Sequence, residues 1–300
     1  GTQDMDHGPG SFSLTTNGGT DIVVVKLSGS TGDFIWAGNY GGPGNDFSSL
    51  IHADTNGNVY LGGSFSGVFD ADPGPGSLQF TATATDFFVS KLSSAGSLQW
   101  ARQFVSSYAG YVGAIDVDGS DNIYFCGLFS GITDFDPGPA VVSYTTSNSN
   151  GDMYLCKLNG SGDLVWLSQM GSTGSDQMNR MALGTNGKIY CSGAYTGLVD
   201  FDPGAGTLTQ NSGTLTNAFV AEYDTSGSPG WVRSFSGLYV TALGVDLNNG
   251  VCMTGQFKDG DFDPGPGTFT MTNNGGSWPD IYMCRLNVLG NFSWAKRIGS

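Results

Sequence analysis

The stretch DFDPGPG, from Asp261 to Gly267, decides the fold of this chain because it recurs at nearly regular intervals. The related copies are DMDHGPG from Asp4, DADPGPG from Asp70, DFDPGPA from Asp134 and DFDPGAG from Asp200. Their first residues are 66, 64, 66 and 61 positions apart, which gives a period near 64 residues. Such a period predicts a tandem array in which each repeat is one structural unit that packs on its neighbours.

Each repeat contains four short apolar runs between turns rich in Gly, Asn, Asp and Ser, which is the signature of β-strands. The first run, such as DIVVVKL from Asp21, and the second, centred on a tryptophan, are separated by a glycine turn and predict a hairpin. The third run is rich in small residues, as in VGAIDVD from Val112. The fourth resembles NIYFCGLF from Asn122. The tryptophans of the second run are Trp36, Trp100, Trp166, Trp231 and Trp294.

Four antiparallel strands per unit predict an all-β fold, a β-propeller of about five four-stranded blades, as one array over residues 1–300. The small third run fits the innermost strand near the axis, and the tryptophan run fits the outermost. The rungs of a parallel β-helix are much shorter than this period. No segment shows sustained helical periodicity, so we expect almost no helix.

A family resemblance rests on these same residues. The pattern Asp-Ile-x-Val-x-Lys-Leu, then Gly-x-x-x-Trp, then Gly-Asn-Val-Tyr-x-x-Gly resembles the SBBP (β-propeller) repeats of secreted and surface proteins of Bacteroidetes and related bacteria. It covers nearly the whole chain. Repeat four departs most, with Asn217 for Asp, Glu222 for Lys, and Pro229 expected to interrupt the outer strand. The resemblance implies a propeller fold and export, and it implies no common catalytic site.

The two kinds of hairpin in the repeat do not occur in equal numbers. The first and second runs form five hairpins, whereas the third and fourth runs form four. The first blade, over residues 21 to 40, is therefore expected to lack its two inner strands. Residue 1 is Gly and no leader is recognisable, so we expect a processed chain or part of a longer one. The incomplete blade is completed by further residues, by a larger ring, or by strands of another copy.

Charge limits the partners. The chain has 26 acidic and 11 basic residues, a formal charge of −15, and Gly at 49 positions. Such a surface repels phosphate backbones, so we expect no nucleic-acid binding, and no apolar run is long enough for membrane insertion. The sequence predicts an exported chain at the cell surface or outside the cell. The five cysteines have no close pairs, which favours free core thiols over disulfides, although a bridge between neighbouring strands stays open.

The repeated motif is the candidate ligand site. Carboxylates at i and i+2 on an extended segment point the same way, and hard cations such as calcium prefer oxygen ligands. The alternative is that each Asp caps its own turn without an ion, because two carboxylates alone fall short of a calcium shell. Asp4 and Asp6 form a weaker pair. The candidate calcium ligands are Asp70, Asp72, Asp134, Asp136, Asp200, Asp202, Asp261 and Asp263.

Catalytic groups are scarce in the sequence. The two histidines, His7 and His52, have no Ser or Cys partner at a familiar spacing, and Glu222 is the sole glutamate. Trp278 lies outside the repeat pattern and is the candidate partner surface. These features predict a non-enzymatic scaffold or adhesion module that contacts protein partners or copies of itself, in a fibre for example. A glycan-binding or glycan-active propeller that uses rim loops is the alternative.

Overall fold

The structure is a computed structural model that describes residues 1–146, 150–273 and 278–299, without the side chain of Ser49. All regular elements in these ranges are β-strands, as the sequence predicted. None of the described residues belongs to a helix long and apolar enough to cross a membrane.

The chain opens with two hairpins. The first pairs β1 (Thr2–Asp4) with β2 (Ser13–Thr15), and it carries the DMDHGPG loop at its tip. The second pairs β3 (Ile22–Leu27) with β4 (Phe34–Tyr40) and forms a two-stranded sheet, here called blade 1. The predicted incomplete first blade therefore has two strands in the structure.

Four groups of four antiparallel strands follow as blades 2 to 5, and blades 2 and 3 are joined into one larger sheet by the parallel bridge between Thr85 and Ala109 and by the pairing of β11 with β8. Blade 2 contains β5 (Phe47–Ala53), β6 (Val59–Asp70), β7 (Gln79–Leu92) and β8 (Leu98–Ser106). Blade 3 contains β9 (Ala109–Val117), β10 (Ile123–Ser130), β13 (Asp152–Leu158) and β14 (Leu164–Met170). A short hairpin of β11 (Ile132–Asp134) and β12 (Ser143–Thr145) lies between β10 and β13.

Blades 4 and 5 repeat this plan. Blade 4 contains β15 (Gln177–Leu183), β16 (Lys188–Asp200), β17 (Thr209–Asp224) and β18 (Pro229–Ser236). Blade 5 contains β19 (Leu238–Val245), β20 (Val251–Phe257), β23 (Asp280–Leu286) and β24 (Phe292–Ile298), with the short hairpin of β21 (Asp259–Asp261) and β22 (Thr270–Thr272) between its halves. Pro229 does not interrupt the outer strand as expected, because it is the first residue of β18, where its missing N–H is tolerated.

The strand order in each blade follows the sequence prediction. The small-residue run is the first strand of the sheet and the tryptophan run is the last, as in β15-β16-β17-β18. The first strands of consecutive blades, β5 with β9, β9 with β15 and β15 with β19, lie in contact. Small side chains there allow the blades to approach closely around a common axis.

The core lies between the blades, which is why the strands are apolar on both faces. On β13, Met153 and Leu155 pack with residues of blade 4, whereas Tyr154 and Cys156 pack with residues of blade 2. We call these the forward and backward faces of a blade. Each large side chain buried there stabilises the fold by about 1.5–3 kcal/mol, so the inter-blade contacts hold the array together.

Candidate functional site

The repeated Asp-x-Asp-Pro-Gly loops share one hydrogen-bond pattern. Oδ1 of the first aspartate accepts N–H groups from residues two and eight positions later, and Oδ1 of the second accepts the N–H of the following glycine. In the loop from Asp200, the N–H of Asp202 lies 3.0 Å and that of Leu208 2.8 Å from Asp200 Oδ1, and the Gly204 N–H lies 2.8 Å from Asp202 Oδ1. The same bonds recur in the loops from Asp4, Asp70, Asp134 and Asp261.

These carboxylates therefore cap their own loops. At Asp4, the backbone N–H of Phe12 and then that of Asp6 hold the pKa of the carboxyl below its usual value. In the four loops that end in glycine, the other carboxylate oxygen of the second aspartate lies over that glycine, so that a Cβ built at Gly206 would clash with Asp202 Oδ2. In the described residues, no group of three or more His, Cys, Asp or Glu side chains gathers in a metal-binding arrangement. Calcium at the eight predicted aspartates stays a prediction.

Three of the five motif loops sit on short hairpins that the sequence did not predict as strands, and the other two join extensions of the long strands β6 and β7 or β16 and β17. The β11–β12 hairpin lies alongside the outer strand of the preceding blade, where Thr133 pairs with Ser106 and Asp134 with Val105. The residue between the two aspartates points inward, and Phe135 is fully buried. The β11–β12 hairpin therefore covers the end of the outer edge of β8, which would otherwise expose unpaired backbone groups.

Several exposed apolar side chains lie on one rim of the array, where each blade begins its first and third strands and ends its second and fourth. We call this the motif rim. Leu247 and Leu289, in turns of the opposite rim, are exposed as well. Trp278, the predicted partner surface, lies in the loop before β23 with 83% of its surface exposed, and its carbonyl accepts a hydrogen bond from Asn273. Leu215 occupies the corresponding segment of blade 4, and Tyr108 and Tyr239 lie where β8 leads to β9 and β18 to β19. Exposed tryptophan and tyrosine side chains are the residue types that most often anchor a protein partner.

The hairpin tryptophans lock consecutive blades together. Each indole N–H donates to a carbonyl in the hairpin turn of the next blade, and the ring lies against a glycine of that turn. Trp36 Nε1 is 3.2 Å from the Ser94 carbonyl, and a Cβ built at Gly96 would be 2.7 Å from the Trp36 ring. The same contact joins Trp100 to Gly160, Trp166 to Thr225 and Trp231 to Val288, with Gly162, Gly227 and Gly290 under the rings.

Only glycine fits under these rings. The four turn glycines have φ values of +72° to +85°, a left-handed conformation that costs other residues energy. Two of the blade contacts carry an additional arginine two positions after the tryptophan: Arg102 donates to Gly162, and Arg233 donates to Gly290. The sequence placed the tryptophans on the outermost strand, where the structure has them. In the sequence, the turn glycines resemble ordinary hairpin residues. The one feature that distinguishes them is their constant distance from the tryptophan of their own hairpin.

The candidate catalytic residues have structural partners. His52 Nδ1 lies 3.2 Å from Asp116 Oδ1 across the first strands of blades 2 and 3. Asp116 also accepts the backbone N–H of Leu183, so its carboxylate links three neighbouring blades. The Glu222 carboxylate accepts the Trp231 indole N–H at 3.0 Å and lies 3.9 Å from Lys188. His7 lines the cavity beside the first motif loop. His52 thus links neighbouring blades, Glu222 links neighbouring strands within blade 4, and His7 lines a loop.

All five cysteines are free, which confirms the interpretation as core thiols over a bridge such as Cys126 with Cys156. Burial raises the pKa of the Cys126 and Cys156 thiols well above the usual value. Neither thiol is therefore available as a thiolate nucleophile near neutral pH.

One motif-rim loop contains a buried acid that the sequence did not reveal. Asp46, between β4 and β5, is 1% exposed and accepts the N–H of Gly42, while its Oδ1 atom has no hydrogen-bond partner among the described residues. Burial, and to a smaller extent the charge of Asp21, raises the pKa of Asp46 to about 6. At the corresponding position in blade 4, Asp176 accepts bonds from the N–H and hydroxyl of Ser172 and the N–H of Thr196. Gly42 replaces Ser172 and cannot supply the hydroxyl.

The side-by-side antiparallel blades, their common strand order and their repeated contacts define a repeat protein of the β-propeller class. The chain is similar to an uncharacterised WD repeat-containing protein of Acanthamoeba polyphaga mimivirus, with 25% identity over 356 residues. The alignment covers 97% of this chain and 25% of that relative, so the chain spans about a quarter of the relative's length. No protein-family model matches the chain. The SBBP resemblance and an origin in Bacteroidetes stay predictions.

Proposed function

We propose that the chain is a non-enzymatic β-propeller scaffold that binds protein partners through its motif rim. The observation that carries the proposal is the exposed apolar set on that rim, with Trp278 as its most prominent member. Asp200 and His52 illustrate that the polar groups of these loops and inner strands act as caps and inter-blade links. Similarity to a WD repeat-containing protein supports a scaffold of this kind.

We further propose that the scaffold works at the cell surface or outside the cell, as an adhesion module or a fibre component. The formal charge of −15 and the scarcity of lysine suit a soluble extracellular surface. Labelling of intact source cells with a membrane-impermeant amine reagent tests the location. Modification of the chain without lysis supports it, and modification only after lysis contradicts it.

Partner binding is tested by photo-crosslinking at the motif rim. A photoreactive phenylalanine analogue replaces Trp278 in one variant and Val165, an exposed residue of β14 on the outer side of blade 3, in the control. We expect a discrete protein adduct from position 278 only, in extracts of the source organism. The captured protein, once purified, should bind the wild-type chain in calorimetry and lose affinity about tenfold or more for Trp278→Ala, as expected for an aromatic anchor. Equal adducts at both positions would contradict the proposal.

A glycan ligand is the second candidate, because an exposed indole face such as that of Trp278 stacks well on sugar rings. A glycan array probed with the wild-type chain and with Trp278→Ala separates the two candidates. Binding that disappears in the variant favours the glycan. Silence across the array removes this candidate and leaves the protein-binding proposal untouched.

A further inference from the structure

The loop from Gly41 to Asp46, which joins β4 to β5, holds a carboxylate whose charge is not balanced. Asp46 is 1% exposed, and the Gly42 N–H, 2.9 Å from Oδ2, is the one hydrogen-bond donor to it among the described residues. The backbone N–H of Ser66 lies near the carboxylate and lowers its pKa, but it forms no hydrogen bond to Oδ1. A buried carboxylate with an unpartnered oxygen is costly, so a further positive partner would stabilise the folded loop.

The corresponding loop between blades 3 and 4 shows which group is missing. Asp176 accepts the N–H of Ser172 at 2.6 Å, its hydroxyl at 2.9 Å, and the N–H of Thr196 at 3.1 Å. The Ser172 hydroxyl oxygen also lies 2.7 Å from the Thr196 carbonyl oxygen, so it holds the carboxylate and the neighbouring strand together. In the loop between blades 1 and 2, Gly42 replaces Ser172 and Ser66 replaces Thr196. No hydroxyl therefore joins the buried carboxylate to that carbonyl.

A second carboxylate adjoins the first. Asp21 lies against Gly41, because a Cβ built there would be 2.5 Å from the Asp21 Cγ atom, and the next residue, Gly42, donates to Asp46. Oδ2 of Asp21 accepts the N–H of Asn17 at 2.7 Å, whereas its Oδ1 is buried with no hydrogen-bond partner among the described residues. Burial, and to a smaller extent the charge of Asp21, raises the pKa of Asp46 to about 6. Each carboxylate thus has one unpartnered oxygen.

The counterparts of Asp21 in two other blades have a side-chain donor that blade 1 lacks. Gln103 donates to Asp86 at 2.6 Å, and Gln169 donates to Asp152 at 2.5 Å. The same register position on β4 is occupied by Asn39. Its side chain is one methylene shorter, and its amide donates to a backbone carbonyl of β2 instead. Positions 39 and 42 therefore both lack a donor, and both would serve this one pair of carboxylates.

The chemistry of the two carboxylates favours a hard divalent cation. None of the ion pairs among the described residues involves Asp21 or Asp46. The Ser66 carbonyl lies directly under the loop, since a Cβ built at Gly44 would be 2.5 Å from its oxygen. Calcium accepts carboxylates, carbonyls and water as ligands and completes a shell of about six to eight oxygens. Calcium–oxygen distances of about 2.3–2.6 Å are shorter than hydrogen bonds, so the ion fits where a water molecule is too large.

We propose that the loop from Gly41 to Asp46 binds one hard divalent cation of the calcium type, with Asp21 and Asp46 as charged ligands and the Ser66 carbonyl as a neutral one. Water molecules complete the shell. The ion takes the place of the serine hydroxyl and the glutamine amide that serve the equivalent carboxylates elsewhere in the array.

The site would fix a junction that the backbone already begins to form. The N–H of Asp46 donates to the Thr20 carbonyl at 2.7 Å, and that of Gly19 donates to the Gly44 carbonyl at 3.1 Å. The ion adds a link from these two segments to β6. This inference is independent of partner binding at Trp278. It is also separate from the calcium prediction for the motif loops, because neither Asp21 nor Asp46 belongs to a motif.

Calorimetric titration of calcium chloride into the chelator-treated 300-residue chain at neutral pH tests the site. Asp46→Asn keeps the shape of the side chain and removes its charge, so it should bind one calcium ion fewer than wild type, or bind that ion at least about tenfold more weakly. Asp176→Asn is the matched control from the corresponding loop and should bind calcium like wild type. A wild-type chain that binds no calcium up to about 10 mM overturns the proposal, as does an Asp46→Asn variant that titrates like wild type.

Unfolding cannot imitate the loss of binding in this variant. In chelator, Asp46→Asn removes a buried charge and should be at least as stable as wild type, which thermal melting and circular dichroism check. Calcium should raise the melting temperature of wild type and of Asp176→Asn more than that of Asp46→Asn, since an ion bound only by the folded state stabilises it. An equal rise in all three chains overturns the site.

Two further variants assign the ligands. Asn39→Gln supplies Asp21 with the amide that its counterparts have and should weaken calcium binding at least about tenfold. Wild-type affinity in Asn39→Gln would overturn Asp21 as a ligand. Asp202→Asn, in a motif loop, should leave the ion at Asp46 in place. A loss of calcium in Asp202→Asn together with wild-type binding in Asp46→Asn would assign the ion to the motif loop and overturn this proposal.

Crystals grown with calcium give the position of the ion directly. Anomalous diffraction at a long wavelength should show a peak between the carboxylates of Asp21 and Asp46. A water molecule there without anomalous signal overturns the proposal. Photo-crosslinking at Trp278 does not depend on this outcome, so failure of the ion site would leave the proposed function standing.

Discussion

At the scale of single residues, the turn glycines under the tryptophan rings are the most constrained positions of the chain. Gly96→Ala should destabilise the fold by about 2–4 kcal/mol, from the left-handed φ of +85° and from overpacking against Trp36. Gly32→Ala is the matched control, with a similar φ but open space around it, and should cost about 1 kcal/mol. Urea denaturation of dilute protein measures both. Equal losses would mean that the ring contact contributes nothing.

The buried carboxyl of Asp46 should make stability depend on pH. Its pKa is about 6 in the folded state, mainly because of burial and secondarily because of Asp21, against 3.8 ordinarily. The folded state therefore binds more protons than the unfolded state between about pH 4 and 6, so stability falls as pH rises through that interval. Asp46→Asn should remove this decline and stabilise the chain by about 1–3 kcal/mol at neutral pH.

The control for that prediction is Asp176→Asn, in the corresponding loop of blade 4. Asp176 accepts three hydrogen bonds from Ser172 and Thr196, so its substitution should destabilise the chain at neutral pH. Urea unfolding at about pH 4 and about pH 7.5 compares the variants with wild type. If Asp46→Asn keeps the full pH dependence, the carboxyl is not its source.

At the scale of elements, the first aspartate of each motif holds the loop that joins two strands. Asp200→Ala deletes the acceptor for two backbone N–H groups and should cost about 1–3 kcal/mol. Asp200→Asn keeps an Oδ1 acceptor at the same place and should cost less than about 1 kcal/mol. Thermal and urea unfolding of the two variants test the cap. Equal losses would show that charge, and not the hydrogen bonds, matters at this position.

Calcium binding at the motif loops can be tested separately, through the thermal stability of the chain. An ion bound only by the folded state raises its stability, by about 4 kcal/mol at a thousandfold excess over the dissociation constant. The calcium prediction therefore expects a higher melting temperature with calcium than with chelator, and Asp202→Asn should reduce the rise. Identical melting in both conditions would contradict calcium and leave the loops as hydrogen-bonded turns.

The sequence predicted the blade strands but not the motif hairpins. The four runs of each repeat and their order from the axis outward follow from local apolar patterns, and β15 to β18 confirm them. The motif hairpins were missed because strands such as Ser143–Thr145 are three polar residues long, and their place is set by the distant strand β8. The environment of Asp46 was also missed. It depends on the lack of a hydroxyl donor at Gly42, and this lack becomes evident only when Gly42 is compared with Ser172 in the corresponding loop.

At the scale of the whole molecule, the blades contact one another in the order in which they follow along the chain. The inter-blade contacts run between consecutive blades, such as β9 with β15 and β15 with β19, so stability should be a sum of blade and nearest-neighbour terms. The repeat period predicted this linear order. The angle between blades, and hence whether five of them close a ring, depends on side-chain packing at each contact, which no local pattern encodes.

A local change at the last contact should therefore open only the last blade. Gly290→Ala pushes a methyl group into the Trp231 ring and should speed amide exchange at least about tenfold in β23 and β24, with little change in blades 2 and 3. Gly162→Ala places the same lesion between blades 2 and 3, so the exchange should rise on both sides of that contact. Hydrogen exchange with mass spectrometry resolves the strands. A uniform rise across all blades in Gly290→Ala would show that the array unfolds as one unit, and that coupling reaches beyond nearest neighbours.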